Sequence, residues 1–140
     1  MSVIKRIIGP PPREAGDTRL YLSGQRAGEV ASLFAGTIVD ARVVPDASAL
    51  KMAYAAWSKG TAALLLAIRD VARHYGVDEE LASEWAESQP DLLERLPSAE
   101  RSAAAKGWRW AGEMDEIART FAAAGAPSGF HEAAAEYYRS

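Results

Sequence analysis

Cysteine is absent from this chain of 140 residues, and histidine occurs only twice, as His74 and His131. The lack of cysteine excludes a disulfide framework and cysteine-ligated zinc. Two histidines are too few to form a metal cluster without carboxylate ligands, so we expect no metal site. The longest apolar run, residues 62–68, is far too short to cross a bilayer, and the N-terminal segment has no apolar stretch typical of a signal peptide. We therefore expect a cytoplasmic protein without a membrane partner.

The chain also lacks an excess of basic residues, because 16 lysines and arginines stand against 19 aspartates and glutamates and the formal net charge is −3. Nucleic-acid binding depends on attraction between basic side chains and phosphates, so we expect no nucleic-acid partner. Apolar residues make up 49% of the chain and charged residues 25%, which is typical of a globular protein. Much of the apolar share is alanine, which favours helix. We expect one compact, mainly helical unit at this length.

Glycine and proline divide the first 45 residues into short elements. Residues 3–8 are largely apolar and stop at the sequence G-P-P-P, which predicts a strand that ends in a stiff turn. In residues 18–23, polar and apolar side chains alternate, which predicts a second strand. Residues 37–44 are rich in β-branched side chains, which predicts a third strand. Between them, Ala27, Val30, Ala31 and Phe34 share one face of a predicted helix over residues 26–34. The predicted order is strand, strand, helix, strand.

Residues 46–75 contain no proline and one glycine, which predicts a single helix of nearly thirty residues. Asp46 or Ser48 is its predicted N-cap, and Gly76 ends it. Apolar side chains cover more than one face of this helix, so it needs partners on more than one side. We predict a homodimer through this helix and the helices that follow Pro97, because large exposed apolar surfaces usually mark interfaces.

Shorter helices are predicted beyond Gly76. Asp78 is expected to cap a helix that runs to Glu87, a further helix opens at Pro90, and another starts at residues 97–98. A last break at residues 125–129 precedes a terminal helix. The predicted domains are therefore a short β/α segment, residues 1–45, and a helical unit, residues 46–140.

Three groups of segments carry a resemblance to a known family. They are I-G-P-P-P-R at residues 8–13 with T-R-L-Y-L-S-G at 18–24, S-A-L-K-M-A-Y-A-A-W-S-K-G at 48–60, and K-G-W-R-W-A-G-E-M at 106–114 with G-F-H-E-A-A-A-E-Y at 129–137. Together they resemble the C-terminal helical domain of NAD(P)-dependent oxidoreductases related to 6-phosphogluconate dehydrogenase and the β-hydroxyacid dehydrogenases. The resemblance implies a mainly α fold in which short strands, the edge of a Rossmann sheet, lead into a long helix and an all-helical bundle. It also implies a domain that dimerises and closes the active site.

The dinucleotide-binding fingerprint of that family is missing. G-x-G-x-x-G lets the backbone approach a pyrophosphate at a helix N-terminus, whereas the nearest sequence here, G-Q-R-A-G at residues 24–28, has the wrong spacing. We therefore expect no cofactor to be bound by this chain alone. The resemblance implies NAD(P) if a Rossmann partner is present as a separate domain or chain.

Lys51 is the predicted catalytic residue, because the relatives carry a lysine here that acts as general base or acid on the substrate hydroxyl. Its apolar neighbours make partial burial plausible, and burial lowers the pKa of a lysine. The family pattern is not complete, since Ala55 and Ser58 stand where relatives carry an asparagine and an acidic residue, and G-P-P-P replaces their Ser-Gly-Gly type loop. The alternative is an ordinary helix lysine with its amine in water.

The predicted ligand is a small anionic or polar organic molecule. Lys59 lies about 80° round the helix from Lys51, so the two ammonium groups could flank one anion, and a turn before the last helix could aim His131 into a cleft. A solvent-facing lysine and a capping or surface histidine are the alternatives. The full set of predicted substrate-binding residues is Ser48, Tyr54, Ser58, Lys59 and His131.

Three functions compete at this point. The first is the substrate-binding and dimerisation domain of an NAD(P)-dependent dehydrogenase-like oxidoreductase that lacks the dinucleotide-binding half. The second is a stand-alone, non-redox binding or assembly module, and the third is a cofactor-free lyase or isomerase that uses Lys51. The sequence leaves open whether the chain is an enzyme.

Overall fold

The computed structural model describes residues 2–140 and divides the chain into two compact units. The N-terminal unit ends at Tyr54, and the C-terminal unit is Ala55–Ser140. This boundary lies inside the long helix α2, Ala47–His74, so the division at residues 45 and 46 stays a prediction. A short N-terminal sheet followed by long helices confirms the predicted fold class.

The N-terminal unit contains a three-stranded sheet and one short helix. Its elements are β1, Ile4–Ile8, β2, Arg19–Ser23, α1, Ala27–Ser32, and β3, Asp40–Val43, so the predicted order is confirmed. The sheet order is β1-β2-β3, with β1 antiparallel and β3 parallel to β2. A parallel neighbour needs a crossover connection, which here contains α1.

One face of this sheet packs on α1. Leu20 and Leu22 alternate on β2 and form the buried cluster of this unit with Ala27. The other predicted members of the α1 face, Val30, Ala31 and Phe34, pack against that cluster. The helical spacing read from the sequence therefore identified the correct face.

Helix α2 has a defined start and a defined end. Asp46 Oδ1 accepts a hydrogen bond from Ala49 N–H at 2.9 Å, so Asp46 is the N-cap. At the other end Gly76 has φ +69°, and the amides of Gly76 and Val77 donate to the carbonyls of Arg73 and Ala72 at 3.2 and 2.9 Å. This pair of bonds is a Schellman motif, which satisfies the last carbonyls of the helix.

Three helices follow in the C-terminal unit: α3, Asp78–Ser88, α4, Leu92–Ala123, and α5, Gly129–Arg139. The predicted break at Pro97 is wrong, because Pro97 lies inside α4. As the sixth residue of the helix, Pro97 removes only the bond that its position would make to the carbonyl of Leu93. The predicted cap of α3 is also wrong. Val77 is the N-cap and Asp78 the first helical residue, where its charge still favours the helix N-terminus.

The core of the C-terminal unit joins the second part of α2 to α4 and α5. Its largest members are Leu65 and Leu66 from α2, Trp110, Met114 and Ile117 from α4, and Tyr138 from α5. Alanines at helical spacing fill the remaining contacts and allow close approach of the helices. Across residues 2–140, no helix combines the length and the apolar character that crossing a membrane requires.

Candidate functional site

Lys51 lies in the second turn of α2, within the N-terminal unit, and its side chain is half-buried. Its ammonium Nζ donates a hydrogen bond to the carbonyl of Ile7 at 2.9 Å. The same Nζ lies 5.7 Å from the ring centroid of Tyr54, a cation–π distance. A strand carbonyl and an aromatic face therefore hold the ammonium at the end of β1.

The turn after β1 is rigid. Gly9 has φ +114°, and a side chain there would collide with the carbonyl oxygen of Asp17. Asp17 Oδ2 accepts hydrogen bonds from the amides of Arg13 and Glu14 at 3.2 and 3.0 Å, and Thr18 Oγ1 donates to the carbonyl of Pro10. These bonds stabilise the G-P-P-P turn close in sequence to the carbonyl that holds Lys51.

Two of the predicted ligand-binding residues share the N-terminal unit with Lys51. The structure brings Tyr54 beside its ammonium, with half of the tyrosine exposed to solvent. Ser48 is half-buried in the first turn of α2. The binding roles of both residues stay predictions.

Lys59 belongs to the C-terminal unit, and an internal carboxylate compensates its charge. Its Nζ forms an ion pair with Glu113 and lies 5.6 Å from the ring centroid of Trp110. The hydroxyl of Tyr138 donates to the backbone carbonyl of Lys59 at 2.6 Å. An anionic ligand would have to compete with Glu113 for this ammonium. Ser58, the neighbouring predicted residue, is exposed.

His131 is buried, with 6% of its surface exposed. Its Nε2 lies 3.1 Å from the carbonyl of Ala56, and since a carbonyl only accepts, Nε2 carries the proton and donates. Its Nδ1 is buried without a hydrogen-bond partner. The ring packs on Phe121 at 4.7 Å between centroids, and a Cβ on Gly60 would come within 2.8 Å of Nε2. His131 therefore locks α5 against α2, so it is neither the surface nor the capping histidine of the alternative. Its role in ligand binding stays a prediction.

A groove of about 620 Å³ runs between α2 and α5 in the C-terminal unit. Its α2 wall consists mainly of small residues at helical spacing, Ala56, Gly60, Ala63 and Ala67. Leu64, Phe130 and Tyr137 are among the larger side chains that line it. The sequence analysis missed this groove, although the spacing of the small residues is visible in the sequence.

A polar network at one side of this groove was also missed. Tyr137 donates from its hydroxyl to Asp70 Oδ2 at 2.5 Å, and Arg69 contacts Asp70 at 2.8 Å and Glu100 at 3.3 Å. The hydrogen bond from Tyr137 lowers the pKa of Asp70, with Arg69 acting in the same direction. Burial, reinforced by the bond to Asp70, raises the pKa of Tyr137. Residues 67 positions apart meet here, a pairing that no local sequence pattern signals.

The described residues do not fit a dinucleotide or a metal. Gly24 has φ +110°, and a Cβ there would lie 2.7 Å from the carbonyl oxygen of Ser2. That glycine serves backbone packing, and the helix behind it, α1, has only six residues. Within residues 2–140, no cluster of three or more His, Asp or Glu side chains could hold a metal ion.

Comparison with known proteins places the chain among dehydrogenase-like folds. Residues 72–140 match the family model described as a domain of unknown function, DUF1932. The structure of the conserved protein MTH1747, of unknown function and described as similar to 3-hydroxyacid dehydrogenases, matches 98% of this chain with a TM-score of 0.75 and 26% identity. A conserved hypothetical protein from Sinorhizobium meliloti 1021 matches 86% of it with a TM-score of 0.76 and 28% identity.

Both solved relatives are longer than this chain, which covers 54% of the first and 42% of the second. No curated protein matches the chain. The structural similarity to the two solved proteins extends over most of this chain. It agrees with the family model and with the resemblance found in the sequence. Residues 72–140 are thus similar to the DUF1932 domain, and the chain as a whole is similar to about half of a protein described as structurally similar to 3-hydroxyacid dehydrogenases.

Proposed function

We propose that this chain is the substrate-binding and dimerisation domain of an NAD(P)-dependent dehydrogenase-like oxidoreductase. The observation that carries the proposal is the fold match along 98% of the chain to a longer protein described as similar to 3-hydroxyacid dehydrogenases. The residues present here do not fit a dinucleotide, so the proposal requires a Rossmann domain from another part of the protein or from a separate chain. The cytoplasmic location of this protein stays a prediction.

Lys51 is the proposed acid–base residue of this domain. Its ammonium is already held at the end of β1 by the Ile7 carbonyl and faces the Tyr54 ring. A neutral lysine accepts a proton from a substrate hydroxyl, and an ammonium returns it to a carbonyl oxygen. As an ammonium it also attracts a carboxylate, which agrees with a small hydroxy acid as the ligand.

Thermal unfolding with a panel of short-chain 3-hydroxy acids tests this role. A ligand that binds only the folded chain raises Tm, so at least one acid should raise the Tm of the wild type, and Lys51→Met should abolish that increase. Lys106→Met, at an exposed lysine of α4, is the matched control and should retain it. An increase that survives in Lys51→Met would show that Lys51 does not bind the acid, and a panel without effect would overturn the substrate class.

Dimerisation is the second part of the proposed function. The part of α2 within the C-terminal unit leaves large apolar side chains in solvent, among them Trp57 and Leu64, which are 69% and 60% exposed. Tyr75, directly after the end of α2, is 73% exposed. Exposed apolar surface of this kind usually marks an interface, and a closed two-fold dimer is the commonest way to cover it. These observations support the homodimer that the sequence predicts through α2.

A further inference from the structure

The G-P-P-P turn after β1 carries three prolines close to the ammonium of Lys51. Pro10, Pro11 and Pro12 follow Gly9 directly, and all three are exposed. Lys51 Nζ binds the carbonyl of Ile7 at 2.9 Å. Pro10 stands three residues further along the chain, so it lies within about 11 Å of that carbonyl. A ligand held at the ammonium by one group can therefore contact the turn with another.

The backbone of the turn has no N–H group to offer an anion over residues 10–14. Proline has no amide hydrogen, which removes three donors in a row. The next two amides, those of Arg13 and Glu14, donate to Asp17 Oδ2 at 3.2 and 3.0 Å. Backbone amides commonly bind carboxylates and phosphates in proteins. This turn does not supply them.

The charge of the turn disfavours an anion as well. Over residues 9–17, the single cation Arg13 stands against the two carboxylates of Glu14 and Asp17, so the formal net charge is −1. Like charges repel, so both carboxylates oppose a phosphate or a second carboxylate of a ligand at the turn. The ammonium of Lys51 attracts one anionic group, and the segment beyond it disfavours another.

Apolar side chains are exposed on both elements that hold Lys51. On α2, Leu50 and Tyr54 stand four residues apart, so they share one face of the helix, and they are 36% and 50% exposed. The ammonium lies 5.7 Å from the centroid of the Tyr54 ring. On the turn, the three prolines are exposed. Small-molecule sites are typically apolar surfaces with a few polar groups that fix orientation, and Lys51 is such a group here.

We propose that the substrate is a hydroxy acid with a large apolar substituent, such as a phenyl ring, which packs on Tyr54 and on the G-P-P-P turn. The hydroxyl and the carboxylate of this acid face Lys51. A substrate with a phosphate or a second carboxylate in place of the apolar group is disfavoured. This inference rests on the proposed acid–base role of Lys51 and adds the substituent that distinguishes one hydroxy acid from another.

The first experiment compares three acids that differ only in the group on carbon 3. They are 3-hydroxybutyrate, 3-hydroxy-3-phenylpropionate and 3-hydroxyglutarate, which carry a methyl group, a phenyl ring and a second carboxylate. The dependence of Tm on ligand concentration gives the affinity of the chain for each acid. The phenyl acid should bind roughly tenfold tighter than 3-hydroxybutyrate, because its ring buries on the order of 60 Å² more apolar surface. The dicarboxylate should bind more weakly than either.

The outcomes separate this inference from the proposed function. A phenyl acid that binds no tighter than 3-hydroxybutyrate, or no tighter than 3-hydroxyglutarate, would overturn the apolar substituent and leave the hydroxy acid as the substrate class. If none of the three acids raises Tm, the substrate class of the proposed function is wrong and this inference is wrong with it.

The second experiment tests the ring of Tyr54. Tyr54→Ala removes the ring and should reduce the tenfold preference for the phenyl acid over 3-hydroxybutyrate to about twofold. Tyr54→Phe keeps the ring and should keep the preference. The ratio of two affinities is compared within each variant, so a general loss of affinity does not affect the result. An unchanged ratio in Tyr54→Ala would show that the ring does not receive the substituent.

The third experiment returns amide donors to the turn. Pro11→Ala/Pro12→Ala adds two N–H groups and keeps Pro10, whose carbonyl accepts a hydrogen bond from Thr18. This variant should bind 3-hydroxyglutarate several-fold tighter than the wild type does, and unchanged binding would overturn the role of the missing amides. Arg13→Met is the matched control and should bind the phenyl acid as the wild type does. A tenfold loss in Arg13→Met would show that the turn holds an anion through Arg13, which would overturn the apolar contact.

Discussion

Gly60 and His131 show how one missing side chain determines the packing of two helices. A Cβ at Gly60 would come within 2.8 Å of His131 Nε2, the atom that donates to the carbonyl of Ala56. The imidazole is buried and packed on Phe121, so it has little room to move away. The glycine inside α2 is thus explained by the histidine and not by a kink.

Gly60→Ala should lower the free energy of unfolding by about 1–2 kcal/mol, although alanine favours helix over glycine by about 1 kcal/mol. Gly112→Ala in α4 is the matched control. No neighbouring atom lies within 4 Å of a Cβ there, so it should raise stability by up to about 1 kcal/mol. Urea unfolding measures both effects. When His131 is already replaced by alanine, Gly60→Ala should no longer lower the free energy of unfolding. The comparison is between Gly60→Ala/His131→Ala and His131→Ala alone, and an unchanged cost would show that the imidazole is not the obstacle.

Tyr137 and Asp70 make stability depend on acid pH. The bond from the Tyr137 hydroxyl lowers the pKa of Asp70 in the folded state. Its contribution is therefore fully present above the unfolded-state pKa, 3.8 for an ordinary aspartate, and is lost as the pH falls through the lower, folded-state pKa. Below that range Asp70 is protonated in both states and favours neither.

Tyr137→Phe should lower the free energy of unfolding by about 1 kcal/mol near neutral pH, a figure discounted because Asp70 is half exposed. This cost should shrink as the pH falls below 3.8 and Asp70 becomes protonated in the folded state as well. Tyr138→Phe removes a hydroxyl that donates to a backbone carbonyl, so its cost should not change over the same acid range. Unfolding in urea at several pH values compares the two variants. Parallel pH profiles would show that the Tyr137–Asp70 bond does not set the pKa of Asp70.

Helix boundaries could be predicted from sequence only where local chemistry determines them. Asp46 and Gly76 set the ends of α2 through a cap and a Schellman motif. Gly76 was predicted, and Asp46 was one of two predicted caps beside Ser48. Pro97 misled the prediction because proline usually starts or ends a helix, yet here Leu96 and Ala99 continue the packed side of α4 across it. Packing on the rest of the unit outweighs one lost hydrogen bond, and packing partners are not visible in local sequence.

Pro97→Ala should therefore stabilise the chain by about 1–2 kcal/mol, because alanine restores the bond to the Leu93 carbonyl within a continuous helix. Pro90→Ala is the control. Pro90 precedes α4. Its replacement should be neutral or slightly destabilising, because alanine only increases the conformational entropy of the unfolded chain. Thermal unfolding compares them. A destabilised Pro97→Ala would mean that α4 is not continuous through this residue.

At the scale of the whole molecule, long-range pairs limited the prediction of the site. The order of the elements along the chain, the α1 face and the extent of α2 follow from local patterns and were predicted. The neighbours of Lys59 and His131 were not, because Glu113 and Ala56 lie 54 and 75 residues away from them in sequence. The dinucleotide fingerprint is missing from the sequence itself, and the absence of cofactor binding by this chain alone stays a prediction.

The chain alone should consequently bind neither NAD nor NADP with useful affinity, because it has no glycine-rich phosphate loop and no acidic partner for the ribose. Isothermal titration calorimetry with each dinucleotide should give no saturable heat up to millimolar concentration. Addition of a Rossmann partner should restore binding if the proposed function is right. Micromolar affinity for NADP in the isolated chain would contradict this expectation.

The three-stranded sheet also affects aggregation, because β1 and β3 are its edge strands and each has one side that is not paired within the sheet. An unpaired strand edge is a template for edge-to-edge aggregation, which natural proteins restrain with charge. On β1 the adjacent Lys5 and Arg6 carry charge of one sign, whereas on β3 Arg42 pairs with Asp40 at 2.6 Å and Val43 is 56% exposed. The β3 edge is thus the less protected one, so it is where a foreign strand would add to this sheet during expression, storage or crowding.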